Sequence, residues 1–457
     1  MKRIAQVLLL GFGAVFLTAC DDDDDDIVIT PPPPVVPLDD TDVRVLHASP
    51  DAPMVNVTVN GENVLEMVDY RQASGFLELT EGTYDIGVDA ILPDGTTTTV
   101  IGPASLDLSG DVEYSIIAVG KVADGTLEPL ILDRPDEDFG AGNIRLQVVH
   151  ASPDAPEVDV YLTAPDDDIS MMDPALSAVP FKASSGLIEV PAGDYQARIT
   201  LAGTKDVVFD SGALTLAAET DLMLVAVTNT QSGPSPINVM AWGDDGVAQL
   251  SDIGTGAEVR VVHASPDAPE VNVLVDDAVA LSDVPYAAAS GFLPLSAGPH
   301  NLKVEPSAAP GTYVIDADAD FALNTAYTVL ATDFVANITP WIVEGKGRRI
   351  ATAAQIRLLH ASPTAGNVDI YVGADNDISD ETPAFSDVPI RAETGFVALT
   401  PGTYYVTVTP TGTQDAAIGP IMLELEGNKI YTAIARDMMG GGLPLGLILL
   451  DDFVAEE

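Results

Sequence analysis

A chain of 457 residues with 47% hydrophobic side chains is too long for one ordinary core and too apolar to be disordered throughout. Its 70 acidic residues face only 19 Lys plus Arg, for a net charge of −51. That balance argues against nucleic acid as a partner and against a basic patch on anionic lipid, and fits a solvated acidic surface.

The first element in chain order is at the N-terminus. Lys2 and Arg3 precede an apolar stretch from Ile4 to Leu17, too short to span a bilayer comfortably but suited to a secretory signal. It ends in Leu17-Thr18-Ala19-Cys20, which resembles the lipobox of bacterial lipoproteins. That resemblance implies a signal peptide over residues 1–19, cleavage before Cys20 and a diacylglycerol on its sulfur. Cys20 is the only cysteine in the sequence, so it serves anchorage rather than a disulfide. The expectation is an exported chain, lipid-anchored in the bacterial cell envelope at the periplasmic face or the cell surface. Residues 20–41 then read as a tether: Asp21 to Asp26 repel one another, and Pro31 to Pro34 favour an extended chain.

Beyond the tether the sequence repeats itself. Val43-Arg44-Val45-Leu46-His47-Ala48-Ser49-Pro50-Asp51-Ala52-Pro53 returns around His150, His263 and His360, with Thr364 replacing the aspartate in the last copy. The histidines stand roughly 100 residues apart, a domain-sized period. Four units follow, at 42–134, 143–243, 257–345 and 355–453. Short polar or glycine-containing connections between them predict that each unit contacts mainly its neighbours.

Within each unit the elements keep one order. An alternating strand follows the motif (Val55, Val57, Val59 in the first copy), with Asn56, Asp159, Asn272 and Asp369 among its polar positions. A Gly step comes next at Gly75, Gly186, Gly291 and Gly395, followed by a Gly-turn into a further strand at Tyr84, Tyr195, His300 and Tyr404. A late apolar strand begins at Tyr114, Leu222, Tyr327 and Tyr431, and a closing strand ends the unit. About seven short strands per unit, with no helix-period segment, predict four tandem immunoglobulin-like antiparallel β-sandwich domains, an all-β fold.

The repeated His-Ala-Ser-Pro-Asp-Ala-Pro motif, the Val-x-Val-x-Val strand and the late Gly-Thr-Tyr turn resemble the domain-of-unknown-function 4397 family of secreted and envelope proteins. The resemblance implies tandem β-domains from Val43 to about Asp452 and an envelope location. It brings no activity with it.

His47, Ser49 and Asp51 invite a Ser-His-Asp interpretation, but in an extended segment they stand about 7 and 13 Å apart, too far for a triad. His47, His150, His263 and His360 read instead as a structural motif: imidazoles on the core face of a strand, bonded to a turn, with Arg44 and Arg145 on the outer face. No catalytic residues are expected, and the chain reads as no enzyme. The second copy carries Asp166, Asp167 and Asp168 in an insertion matched by Asp375, Asn376 and Asp377 in the fourth, while the first and third lack it. This alternation suggests duplication of a two-domain block. Such oxygen-rich loops make Ca²⁺ the one candidate cofactor. The leading function is a non-enzymatic stalk, adhesion or interaction module with a surface protein or glycan as partner. The alternative is an envelope ligand-binding protein, for carbohydrate or dependent on calcium.

Overall fold

The computed structural model describes residues 39–453 apart from 245 and 346. Cys20, the stretch expected to be a signal peptide and most of the expected tether lie outside the described residues.

The first unit contains strands β1 (Asp40–His47), β2 (Val55–Val59), β3 (Glu62–Val68), β4 (Leu77–Thr80), β5 (Gly82–Ile91), β6 (Thr97–Leu108), β7 (Val112–Val119) and β8 (Glu128–Pro135). They form two sheets in the orders β4-β1-β7-β8 and β3-β2-β5-β6. The same two-sheet plan recurs three more times, giving four sandwiches. Pairing is antiparallel except between β1 and β7, which run parallel with Val43 opposite Tyr114 and His47 opposite Ala118. That pair places the motif histidine at one end of the core and the tyrosine at the other.

The alternation of β2 sends Val55 and Val57 inward, where they meet Val43, Val45 and Ile116 or their neighbours. The additional strand β3 is mostly exposed, and its apolar periodicity is correspondingly weak. Its backbone carries one left-handed residue, Met67, with φ 55°. The Asn56 side chain accepts the Met67 amide at 3.0 Å. Asp159, Asn272 and Asp369 do the same for Ala178, Asp283 and Asp387, all left-handed. The polar residues between the valines therefore hold a strained β-bulge in every repeat.

Strands β1 and β7 are buried on both faces. The inner face fills the first sandwich. The outer face, bearing Leu46, Ile117 and Val119, packs against Val149, Val225, Met240 and Trp242 of the second sandwich. The third and fourth sandwiches meet likewise through Val262, Leu330, Val343, Leu359, Ile434 and Leu450. Each pair is thus built of packed sheets with an apolar middle seam, and side chains expected at an outer surface are interior. Such double burial explains why these strands read as near-continuous apolar runs rather than alternating ones.

Two further features depart from the sequence-based expectation. The second sandwich has an extra strand, Gly246–Leu250, within a stretch read as a connection; it extends one sheet to five strands. The connection ahead of the fourth sandwich also reaches the first, which is not its neighbour. Arg348 donates to the carbonyls of Pro50 and Ala52 at 3.1 and 2.6 Å and pairs with Asp69 at 2.5 Å. A scarce cation in an acidic chain finds both free carbonyls and a carboxylate there.

Candidate functional site

The motif loop is built from the histidine outward. His47 ends β1 on the inner face, and the loop curls so that its Nε2 lies 3.0 Å from the Pro53 carbonyl. Its Nδ1 accepts the Ser49 amide at 3.3 Å. An accepting Nδ1 fixes the proton on Nε2, which donates to the carbonyl, so a neutral ring satisfies both partners. His150, His263 and His360 repeat the arrangement with Pro156, Pro269 and Gly366 at 3.1, 3.0 and 2.8 Å. Each imidazole bridges six residues of its own chain. Burial pulls the His47 pKa down to about 4, against the raising effect of the Pro53 carbonyl. The same cause lowers the other three.

Serine and aspartate serve the loop as well. Asp51 accepts the amides of Val122 and Ala123 at 2.8 and 2.9 Å, tying the motif to the loop after β7. Asp267 takes the Val335 amide at 2.8 Å. Ser362 Oγ bonds Asp437, and Ser152 Oγ bonds Thr228 at 2.8 Å. Among the described residues no motif serine hydroxyl bonds an imidazole, so the nucleophile–base contact of a triad is missing.

The acidic insertions are occupied by their own backbone. Asp168 accepts the Ser170 amide at 2.9 Å and caps a short 3₁₀ turn, Ile169–Met171. Asp375 accepts from Asp377, and Asp377 from Ser379, each at 3.0 Å. Asp166 is left-handed, and its amide donates to Gln196 at 2.7 Å. Asp167 and Asn376 belong to the same two loops. Among the described residues no three His, Cys, Asp or Glu side chains group as a metal ion requires.

The seam between sandwiches carries a polar cluster that sequence reasoning missed. Arg44 was expected on the outer face, and it is; the second sandwich covers that face and leaves Arg44 1% exposed. Its guanidinium lies 4.7 Å from the Phe76 ring centre and 4.3 Å from that of Trp242. Its Nε donates to Ser115 at 2.9 Å. Arg260 over Phe292 and Arg357 over Phe396 repeat the stack at 4.7 and 4.5 Å. In the second repeat the corresponding pair is Gln147 and Leu187. Arginine and phenylalanine, 32, 32 and 39 residues apart, are thus present together three times and absent together once. That joint change was the available signal. Beside the stack, Arg134 of the first sandwich pairs with Glu113 and, at 3.0 Å, with Asp221 of the second. Asp221 also meets Arg145 at 2.5 Å. Burial pushes the Asp221 carboxyl up, but the two guanidiniums outweigh it and hold it below the ordinary range.

The chain matches the family described as "Domain of unknown function (DUF4397)" over residues 41–161, 257–371 and 354–456. It belongs to that family. Most of the second sandwich falls outside the matched segments, in keeping with its changed Arg–Phe pair and extra strand. No curated protein matches the chain. Among solved structures it is similar to the Bacillus anthracis TIE protein, at 11% identity and a TM-score of 0.14, covering 84% of this chain and 66% of that one. A pneumococcal virulence factor, the multi-modular glycogen-degrading SpuA, gives 10% and 0.17, with 80% and 36% covered. A leucine-rich repeat protein from Bacteroides thetaiotaomicron gives 14% and 0.11, with 40% and 25% covered. The chain therefore spans less than two thirds of each, and these likenesses carry no functional argument.

Proposed function

We propose that this DUF4397 protein is a non-enzymatic, lipid-anchored module of the bacterial cell envelope that presents paired β-sandwiches to a surface protein or glycan. The observation that supports it most is the state of the repeated motif. Both imidazole nitrogens bond the loop's own backbone in all four copies, so the most repeated polar residues serve as staples rather than reagents. Cys20 supplies the anchor, and the Asp- and Pro-rich tether holds the sandwiches off the membrane. Cys20→Ser releases the chain from the membrane fraction and removes lipid labelling. It also abolishes any attachment to coated surfaces that the native chain confers on cells. A Cys20→Ser chain still lipid-labelled, or equal attachment by cells with and without the protein, would overturn the proposal.

A further inference from the structure

The end of the core remote from the motif loop is closed by a tyrosine in three sandwiches. Tyr114, Tyr327 and Tyr431 are 5–8% exposed. Their hydroxyls accept the amides of Ser109, Ala322 and Glu426 at 3.1, 3.0 and 3.1 Å, in each case from the loop before the strand. A second aromatic ring supports the plug in two of them: Phe321 lies 5.0 Å from Tyr327, and Phe453 lies 4.8 Å from Tyr431.

The second sandwich lacks the plug. Leu222 stands in the tyrosine's place and Leu216 in that of Phe321. Between its sheets lies a cavity of about 260 Å³, whereas the cores of the third and fourth hold about 40 and 30 Å³. Buried Val160, Ile199, Phe209 and Val239 line its interior, and half-buried Leu216 and Leu222 line its rim. Among the described residues no charged side chain borders it, and the extra strand adds Leu250 to the wall. An apolar cavity of about 150 Å³ stays dry and takes up benzene. The larger one therefore has space for one ring with short substituents. The amide corresponding to those that bond the tyrosine hydroxyls is that of Ala217.

We propose that the second sandwich binds a small single-ring phenol, seated where the other three repeats place their own tyrosine ring. The ring fills an apolar space and its hydroxyl meets the loop amide. Loss of the plug and gain of a wall residue fall in the same repeat, which is also the one outside most of the family match.

Calorimetric titration of the full chain carrying Cys20→Ser, with p-cresol as probe, tests this. Saturable binding at one site per chain is expected. Leu222→Tyr, which restores the plug, abolishes it, and Leu216→Phe weakens it by about tenfold. A melting temperature at or above the parent's shows that Leu222→Tyr is folded, and Leu216→Phe carries the test if it is not. p-Cresol should bind at least as tightly as toluene. Transfer from water alone would favour toluene by about tenfold, and that result removes the phenol assignment. Absence of saturable heat, or binding unchanged in both variants, overturns the site itself.

Discussion

The two seams between paired sandwiches are built on one plan and finished differently. Both set an Arg–Phe stack beside an apolar centre, and both send a tyrosine hydroxyl across to a backbone carbonyl: Tyr70 to Thr228 at 2.6 Å and Tyr286 to Asp437 at 2.7 Å. At corresponding positions the first seam has Trp242 where the second has Leu450. The first adds the Arg134–Glu113–Asp221–Arg145 cluster; the second has Arg260 paired with Asp451 at 2.7 Å. The shared parts explain why the sandwiches pair at all. The differing parts explain how the first can choose the second among three similar partners, since bulk and charge placement penalise a wrong match.

Removing the largest of those differences should have the largest effect. Trp242→Ala empties a site that is 0% exposed and takes away one face of the Arg44 stack. A loss of about 3–5 kcal/mol is expected, confined to the first pair. Leu450→Ala should cost about 2 kcal/mol, confined to the second. Native-state hydrogen exchange separates the two, by reading protection in residues 221–228 against 429–436. Equal losses of protection in both pairs from either change would show that the seams are not independent.

This seam was only half legible in the sequence. Four all-β units could be read because turns and alternation are local properties, and strand β2 shows them without interference. Strands such as Tyr114 to Val119 announced burial through a near-continuous apolar run, broken only by Ser115, but periodicity does not say what covers the second face. Arg44 illustrates the difficulty: its parity gave the correct face, yet a charged residue there looked solvent-exposed. Its partner Trp242 lies in another repeat, and nothing local links the two. The His47 loop was closer to hand, since a bonded turn was expected, but the specific carbonyl of Pro53 required coordinates. The acidic loops were read for their charge, whereas their geometry follows from turn amides that Asp accepts more readily than most residues.

The motif loops offer a second contrast within the pairs. His47 is 1% exposed, and Arg348 lies against its loop, whereas the other loops have no such arginine among the described residues. An unfolded imidazole titrates near 6.5, and the folded His47 at about 4. Between those values the unfolded state holds more protons. Stability contributed by the neutral ring is therefore full above about pH 6.5 and is lost as pH falls toward 4. The shift corresponds to roughly 3 kcal/mol for His47 alone. His47→Gln keeps a donor for the Pro53 carbonyl but cannot titrate. Urea midpoints for the parent and variant should run parallel above about pH 6.5 and converge as pH falls from there toward 4. Parallel curves across that range would mean that His47 does not remain neutral in the folded state.

The smallest effect discriminates most finely between the seams, because it removes one hydrogen bond from each. Tyr70→Phe deletes the donor to the Thr228 carbonyl. Tyr286→Phe deletes the donor to the Asp437 carbonyl, but Arg436 also donates to that oxygen at 2.9 Å. A buried acceptor that loses a donor costs more than one that keeps a second. Tyr70→Phe should accordingly lower stability by about 1–2 kcal/mol, and Tyr286→Phe by about 0.5 kcal/mol. The argument makes a further demand: with Arg436→Ala already in place, Tyr286→Phe should cost as much as Tyr70→Phe. A double-mutant cycle on Tyr286 and Arg436 measures this coupling directly. If the two losses simply add, the shared carbonyl is not what distinguishes the seams, and the difference between the tyrosines must come from packing around their rings.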